Sequence, residues 1–443
     1  MVSSPFSRTK ESRAFSCGFL CIMTSEVDPL TNARERIEAL VDEGSLYYIE
    51  KNQSAVSVAT AKIAEKPAVI AAFDPTKKGG ALGFFEGQSL VRAVAIAKEG
   101  AAPLVILCQS AGADMSDGQL SLSAAGSVFR ALHDLDTPKL YLSYGTCVGA
   151  AAYMAELCDM VFAVKGQSAL CLTGPKIVAK AIYEETTLMT MGGAEEGAKR
   201  GLVHFPAASE EEMVKDCRRV MTFLRQKQKT PQDSLPMNAE VSMEALIEGI
   251  VDEGSAISFW KEWAPSATAL FARIMGMRVG IFANNPSVAA GVLDKGAAEK
   301  AAAFYTLAER FHLPVISLAD TPGFLPGTQS EEEDVLGGGQ RMMDAYLCHR
   351  EKKATVAVGK VLGGAYMAMG CKEMGADAYF ALKQASIGVM GAELAMTILH
   401  LTNKNLESYK SMHLSAEAAQ KSGLVDAVLT PTDLREKLWE VLS

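Results

Sequence analysis

A chain that repeats itself at long range must build two copies of one unit, and this sequence does so. The segment ARERIEALVDEGS at 33–45 returns as MEALIEGIVDEGS at 243–255, with the shared VDEGS displaced by 210 residues. Pro75, Pro103 and Gly112 have counterparts in Pro286, Pro314 and Gly323, each 211 residues later. Short periods build solenoids, whereas one this long means a duplicated domain. Near the end of each copy a glycine turn opens a run of small residues, GTCVGAAAYMAEL at 145–157 and GKVLGGAYMAMGC at 359–371. Anything built on one turn has a partner on the other, and two matched sites suggest one reaction with two substrates.

Composition narrows the class. With 443 residues, 49% hydrophobic and 21% charged, the chain has enough apolar side chain for two large cores. A net charge of −9 argues against nucleic acid as a partner, because phosphate-backbone binders carry a basic face. No apolar run approaches the roughly 18–20 residues that cross a bilayer, so the chain is not expected to be a membrane protein. Cys17, Cys21, Cys108, Cys147, Cys158, Cys171, Cys217, Cys348 and Cys371 show neither a CxxC pair nor zinc spacing. They read as mostly buried thiols in a reducing, cytoplasmic setting, with no metal site. Residues 1–30, of which the first 23 combine basic and serine residues with a short apolar stretch, read as a disordered extension rather than a cleaved leader, since Glu11 and the lack of a small-residue cleavage pattern oppose the latter.

The duplication places one domain at 31–232 and a second at 233–443, joined through the polar, proline-bearing QKQKTPQDSLPMN at 226–238. Within the first copy, apolar runs alternate with helical segments: PAVIAAF at 67–73, a helix over 86–100, PLVILCQS at 103–110, a helix around SLSAAGSVFRALHDL, and PKLYLSYG at 138–145. This alternation predicts an α/β fold of βαβ units on a largely parallel sheet. Ligands in such folds sit at the loops beyond strand ends.

Those loops carry backbone without bulk: KKGGALGFFEGQ (77–88), SAGADMSDG (110–118) and CVGAAAY (147–153) in the first copy, ADTPGFLPGT (319–328) and LGGAYMAM (362–369) in the second. Gly149 with Ala150, and Gly364 with Ala365, open helices, where unpaired N–H groups and the helix dipole favour negative charge. Small side chains let an acyl or urea carbonyl approach, which makes each turn a candidate oxyanion hole. Glycine and alanine also permit tight helix packing, but two matched turns, each following a second glycine loop, favour the functional reading. The sequence has no GxSxG elbow, GxxxxGK[ST] loop, GxGxxG fingerprint or HExxH motif, and its six histidines have no evident carboxylate or cysteine companion. An enolate held between backbone donors, with the base supplied by substrate or cofactor, would leave this signature.

GALGFFEGQ, SAGADMSDG, GTCVGAAAYMAELCDMVF with LTGPKIV, DTPGFLPGT, VLGGAYMAM, ASIGVMGAE and GLVDAVLTPTDLREKL together resemble the carboxyltransferase subunit of biotin-dependent acyl-CoA carboxylases and decarboxylases, a branch of the crotonase superfamily. The resemblance runs from about residue 33 to the C-terminus. It implies two tandem crotonase-like (ClpP/crotonase) β-β-α superhelix domains. By position it implies an acyl-CoA site at Gly80, Ala81, Ser110, Ala111, Gly112, Ala113, Thr173, Gly174 and Pro175, with Gly149 and Ala150 stabilising the thioester enolate. It implies a biotin site at Pro322, Gly323, Phe324, Gly363, Tyr366 and Met367, with Gly364 and Ala365 polarising the carbonyl of carboxybiotin. The family pairs the first domain of one chain with the second of another, so a homo-oligomer, from dimer to hexamer, is implied. Neither a biotinyl-lysine motif nor an ATP-grasp loop occurs, which implies separate biotin carboxyl carrier and biotin carboxylase subunits, or a membrane decarboxylase subunit.

Departures from the family pattern bear on the substrate. SAGAD replaces the usual SGGAR, putting Asp114 where a cation would meet CoA phosphates. Met367 lies where propionyl-type enzymes often have aspartate, and at helical spacing from Met369 it reads as core filler more readily than as a pocket wall. Lys77 and Lys78 are either phosphate contacts or solubilising residues. Glu331, in the acidic run after DTPGFLPGT, reads as a solvated loop residue. A decarboxylase of the same family, with or without biotin, and a non-catalytic scaffold that keeps the paired fold are the alternatives left open.

Overall fold

The computed structural model describes residues 32–49, 54–225, 242–400 and 405–443. The expected extension at 1–30, the linker at 226–238 and the boundary at 232/233 lie outside or at gaps in these residues.

Each copy folds as a mixed sheet. The first lobe's strands are β1 (Tyr47–Tyr48), β2 (Val56–Ile63), β3 (Lys66–Phe73), β4 (Leu104–Ser110), β5 (Lys139–Val148), β6 (Met160–Val164), β7 (Ala169–Cys171) and β8 (Phe205–Ala207). They run in the order β1-β2-β3-β4-β5-β6-β8, with β7 paired to the far end of β5. The second lobe supplies β9 (Ile257–Phe259), β10 (Ala267–Ile274), β11 (Met277–Asn284), β12 (Val315–Thr321), β13 (Lys353–Leu362), β14 (Ala378–Leu382), β15 (Ser386–Gly388) and β16 (Ala427–Leu429). Their order, β9-β10-β11-β12-β13-β14-β16 with β15 on β13, repeats the first lobe strand for strand. The hairpins β2–β3 and β10–β11 are antiparallel and the strands that follow are parallel. This is the superhelical α/β architecture that the resemblance implies.

The hairpin partners β2 and β10 went unread in the sequence for a physical reason. ATALFARI is buried on both faces, and VSVATAKI changes the phase of its alternation at the adjacent buried pair Val58–Ala59, so neither shows the continuous alternation that marks a half-buried strand. Both lobes also share a register break, between Cys108 and Ser110 and between Ala319 and Thr321. It falls at Gly145 and Gly359, where an added Cβ would lie 2.8 Å from the Gln109 side chain and 2.4 Å from that of Asp320. The glycines make room for these side chains, and the glycine turns lie just beyond.

First and last elements of each lobe are clipped together in the same way. Arg218 donates to the Leu40 carbonyl and to Asp42, both at 2.7 Å. Arg435 donates to the Val251 carbonyl at 2.9 Å and to Asp252 at 2.7 Å. Between the lobes the core is continuous. Phe162 stacks on Phe205 at 4.6 Å between ring centres, Phe205 meets Phe259 at 6.3 Å, and Phe259 meets Phe271 at 4.9 Å. His204 lies against Trp260 at 4.5 Å, and its Nδ1 accepts the Val161 N–H. Burial draws its pKa down to about 3, so the ring is a neutral part of the inter-lobe packing. Arg310 completes the contact, donating to Asp159 at 2.5 Å and to the Leu135 carbonyl at 3.1 Å.

Candidate active site

The acyl-side residues expected from the sequence gather where β3, β4, β5 and β7 end. After β3, the turn at Gly80 (φ +69°) sits so close to β4 that a Cβ there would lie 2.2 Å from the Gln109 carbonyl oxygen. Ala81 follows, buried, and Ala111 donates to the Gly79 carbonyl at 3.0 Å, tying the first loop to the second. Leu82 is bridged to Ala113 through Leu82 N–H to Gly112 C=O at 2.7 Å. Gly112 (φ +106°) donates to the Ser110 hydroxyl at 3.2 Å, and a Cβ on it would stand 3.4 Å from the Val148 carbonyl. Gly149 (φ +60°, ψ −118°) then turns the chain into the helix Ala150–Glu156 and donates to the Cys171 carbonyl at 3.0 Å. The Leu172 carbonyl lies beside it, Thr173 follows in the chain, and Gly174 and Pro175 open the helix Pro175–Ile182.

The second lobe reproduces this construction. Gly291 (φ +72°) presses on β12 as Gly80 does on β4, with a built Cβ 2.5 Å from the Asp320 carbonyl. Gly323 (φ +124°) donates to the Thr321 hydroxyl at 3.2 Å, and Leu293 donates to the Gly323 carbonyl at 3.0 Å. Gly363 (φ +58°) donates to the Gly388 carbonyl at 2.9 Å, as Gly149 does to Cys171. Pro322 is exposed, Phe324 and Tyr366 are half-buried, and the Tyr366 hydroxyl donates to Glu373 at 3.3 Å. Gly291 is absent from the expected site, although the 211-residue offset maps Gly80 onto it.

One pairing needs correction. Matching Gly149–Ala150 with Gly364–Ala365 implies an offset of 215 residues. The strands that lead into the turns, starting at Lys139 and Lys353, are offset by 214, which makes Gly363 the conformational equivalent of Gly149 and Gly364 that of Ala150. The offset grows from 211 because the second lobe inserts the short helix Thr328–Glu332 after its second glycine loop.

What both turns offer is donors. Among the described residues, no acceptor meets the amides of Ala150 in the first lobe or of Gly364 and Ala365 in the second. A helix start leaves such groups open, and here they sit on glycine turns at the carboxyl ends of parallel strands. The arrangement can stabilise a carbonyl oxygen that gains negative charge. No group of histidine, cysteine or carboxylate side chains among the described residues is placed to hold a metal ion.

Asp114 has a local structural role. It accepts from Lys78 at 2.6 Å and from the Ser116 N–H at 2.9 Å. Burial pushes its pKa up, but the bonds from Lys78 and Ser116 outweigh this and hold the carboxyl below its usual value. Lys78 is thus engaged with Asp114, while Lys77 donates to the Ser54 carbonyl at 3.2 Å. Met367 is 48% exposed, so it is no core filler, whereas Met369 is fully buried. Glu331 lies exposed in the inserted helix. A cavity of about 530 Å³ lies between the lobes, lined by Glu156, Asp159, Arg200, Trp263 and Arg310 among others. It meets the C-terminal end of the helix Ala150–Glu156, and none of the expected site residues lines it.

Comparison with known proteins agrees with this geometry. Residues 31–440 match the family model described as carboxyl transferase domain. The propionyl-CoA carboxylase carboxyltransferase subunit of Haloferax mediterranei is 30% identical over 92% of this chain and 88% of its own. The methylmalonyl-CoA decarboxylase subunit alpha of Propionigenium modestum is 29% identical over 98% of this chain and 94% of its own. The crystal structure of transcarboxylase 12S, described as a hexamer and holding hydrolysed methylmalonyl-coenzyme A, superposes with a TM-score of 0.86 at 30% identity, covering 93% of this chain and 88% of that one. With two matched lobes, paired glycine turns and a family match over nearly its whole length, the chain belongs to the carboxyl transferase domain family.

Proposed function

We propose that the chain is the carboxyltransferase subunit of a biotin-dependent acyl-CoA carboxylase or decarboxylase, moving a carboxyl group between biotin and the α-carbon of an acyl-CoA thioester. The observation that carries this reading is the shared positive φ at Gly149 and Gly363, one turn per lobe, each followed by an amide with no acceptor among the described residues. Relatives named for propionyl-CoA and methylmalonyl-CoA favour a short acyl group.

The second lobe fits a ureido group. Gly363 leaves room where a Cβ would stand 3.3 Å from the Val389 carbonyl, the amides of Gly364 and Ala365 are open, and the ring of Phe324 offers a flat apolar wall. Biotin, presented in carboxylated form by a separate carrier protein, would supply the carboxyl group and a ureido nitrogen able to take the α-proton. The chain's own contribution is electrostatic. The Ala150 amide holds the thioester oxygen as it gains charge on loss of the α-proton, and Gly364 and Ala365 donate to the ureido oxygen. Gly80, Ala81, Ser110–Ala113 and Thr173–Pro175 shape the approach of the thioester, with Gly112 giving its oxygen close access to the turn. Pro322, Gly323, Tyr366 and the exposed Met367 line the approach on the other side.

The two turns meet across copies in this reading, the first lobe of one chain against the second lobe of another. Exposed apolar side chains at matching places support it: Leu172, Ile177 and Ile182 after β7, and Val389, Leu394 and Ile398 after β15. A carboxyl carrier and either a biotin carboxylase or a membrane decarboxylase subunit complete the system. The described cysteines are free thiols, in keeping with the cytoplasm, and no described helix is long and apolar enough to cross a membrane.

The test is a transfer assay with free biotin and malonyl-, methylmalonyl- and glutaconyl-CoA, with light scattering on the same sample. Biotin-dependent loss of the carboxyl group from an oligomer is expected. Loss without biotin would assign a biotin-independent decarboxylase, and no turnover of any thioester would overturn the reading.

A further inference from the structure

Phe324 distinguishes the two cradles. The bridge Leu82–Ala113 in the first lobe corresponds to Leu293–Phe324 in the second, so a phenyl ring stands where the first lobe has a methyl group. The ring is held on two sides. A Cβ built on Gly339, in the helix Val335–Cys348, would meet its Cζ at 3.0 Å and Cε1 at 3.1 Å. A Cβ built on Gly364 would meet its Cδ2 at 3.4 Å and Cε2 at 3.5 Å. Its backbone cannot follow a displacement, because Leu293 donates to the Gly323 carbonyl at 3.0 Å and Leu325 donates to that of Leu293 at 2.9 Å.

We propose that Gly339 and Phe324 act as positioning residues for the second cradle: the ring, packed closely on the bare backbone of Gly339, stands beside Gly364 with room for little more than a methyl group between them, and so sets the orientation of the Gly364 and Ala365 amides. This inference rests on the function proposed above, in which those amides serve the biotin half of the reaction. Gly339 is itself buried and lies in a helix interior, where glycine is less favourable than alanine by about 1 kcal/mol, so its retention needs a steric reason. The ring supplies one. An alanine there would drive the ring a few tenths of an ångström toward Gly364, and site geometry is sensitive on that scale.

The experiment uses the full chain with free biotin and methylmalonyl-CoA, or whichever thioester the wild type turns over. Gly339→Ala should lower kcat about tenfold, leave KM for the thioester unchanged and leave Tm unchanged or raised. Phe324→Leu in the Gly339→Ala background should bring kcat back to within about threefold of wild type, because the smaller side chain relieves the crowding. Phe324→Leu alone should lower kcat with the thioester KM preserved, since the packing is then slack. A Gly339→Ala chain with wild-type kcat, or one whose loss Phe324→Leu does not relieve, overturns the inference. A wild type with no biotin-dependent turnover instead overturns the functional reading beneath it.

Discussion

Ala150→Pro removes one hydrogen atom that the proposed chemistry needs and almost nothing that the fold needs. Ala150 is the first residue of its helix, where proline is well tolerated because that N–H has no partner within the helix. The preceding Gly149 has ψ −118°, outside the α region that a following proline disfavours. Stability should therefore change by less than about 1 kcal/mol. Loss of one oxyanion donor elsewhere costs about 3 kcal/mol, a factor of about 10² to 10³ in kcat. The amide gains most of its value as the oxygen becomes negative, so KM for the thioester should move by less than about threefold. The assay is biotin-dependent decarboxylation under saturating thioester, with thermal unfolding on the same preparation and Ala150→Gly, which keeps the N–H, as control. A folded Ala150→Pro chain with kcat within about threefold of wild type would show that this amide holds no developing charge.

Three further outcomes are expected. Gly364→Val, whose Cβ would already touch the Phe324 ring at 3.4 Å and whose γ-methyl groups extend beyond it, should abolish biotin-dependent turnover while thioester binding, read by calorimetry, persists; equal loss of both would count against separate sites. His204 has a folded pKa of about 3 against an unfolded value near 6.5, so its contribution to stability is complete above pH 6.5 and is lost as pH falls toward 3. By pH 5 the loss is about 2 kcal/mol, and His204→Gln should flatten the dependence of urea midpoint on pH; parallel profiles would refute this. Arg310→Ala leaves the buried Asp159 with the Lys139 N–H at 2.7 Å and the more distant Lys139 ammonium at 3.8 Å, and should cost about 1–2 kcal/mol, since Arg310 is partly exposed. An unchanged unfolding midpoint would mean that the inter-lobe ion pair adds nothing.

The duplication, the parallel strands and the clustering of glycine loops at one end of each sheet were legible because they rest on local signals: apolar runs, proline and glycine punctuation, and a fixed offset. What escaped depended on packing across the chain. β10 is too uniformly buried to alternate, and β2 changes phase at Val58–Ala59. The shift from Gly364 to Gly363 as the partner of Gly149 came from an inserted helix, which sequence matching of Gly-Ala pairs could not detect. The bond of Asp114 to Lys78 joins residues 36 positions apart and required three-dimensional placement. Met367 was misjudged for the same reason: helical spacing told which residues share a face, not whether that face was covered.

The unbroken row of aromatic rings from Phe162 to Phe271 makes the two halves of a protomer a single stiff body. Parting the halves to clamp down on a thioester would bare those rings to water. If the two turns meet across copies as proposed above, gating comes from small adjustments of one copy relative to its neighbour, and turnover should respond to dilution below the assembly constant before the protein itself melts.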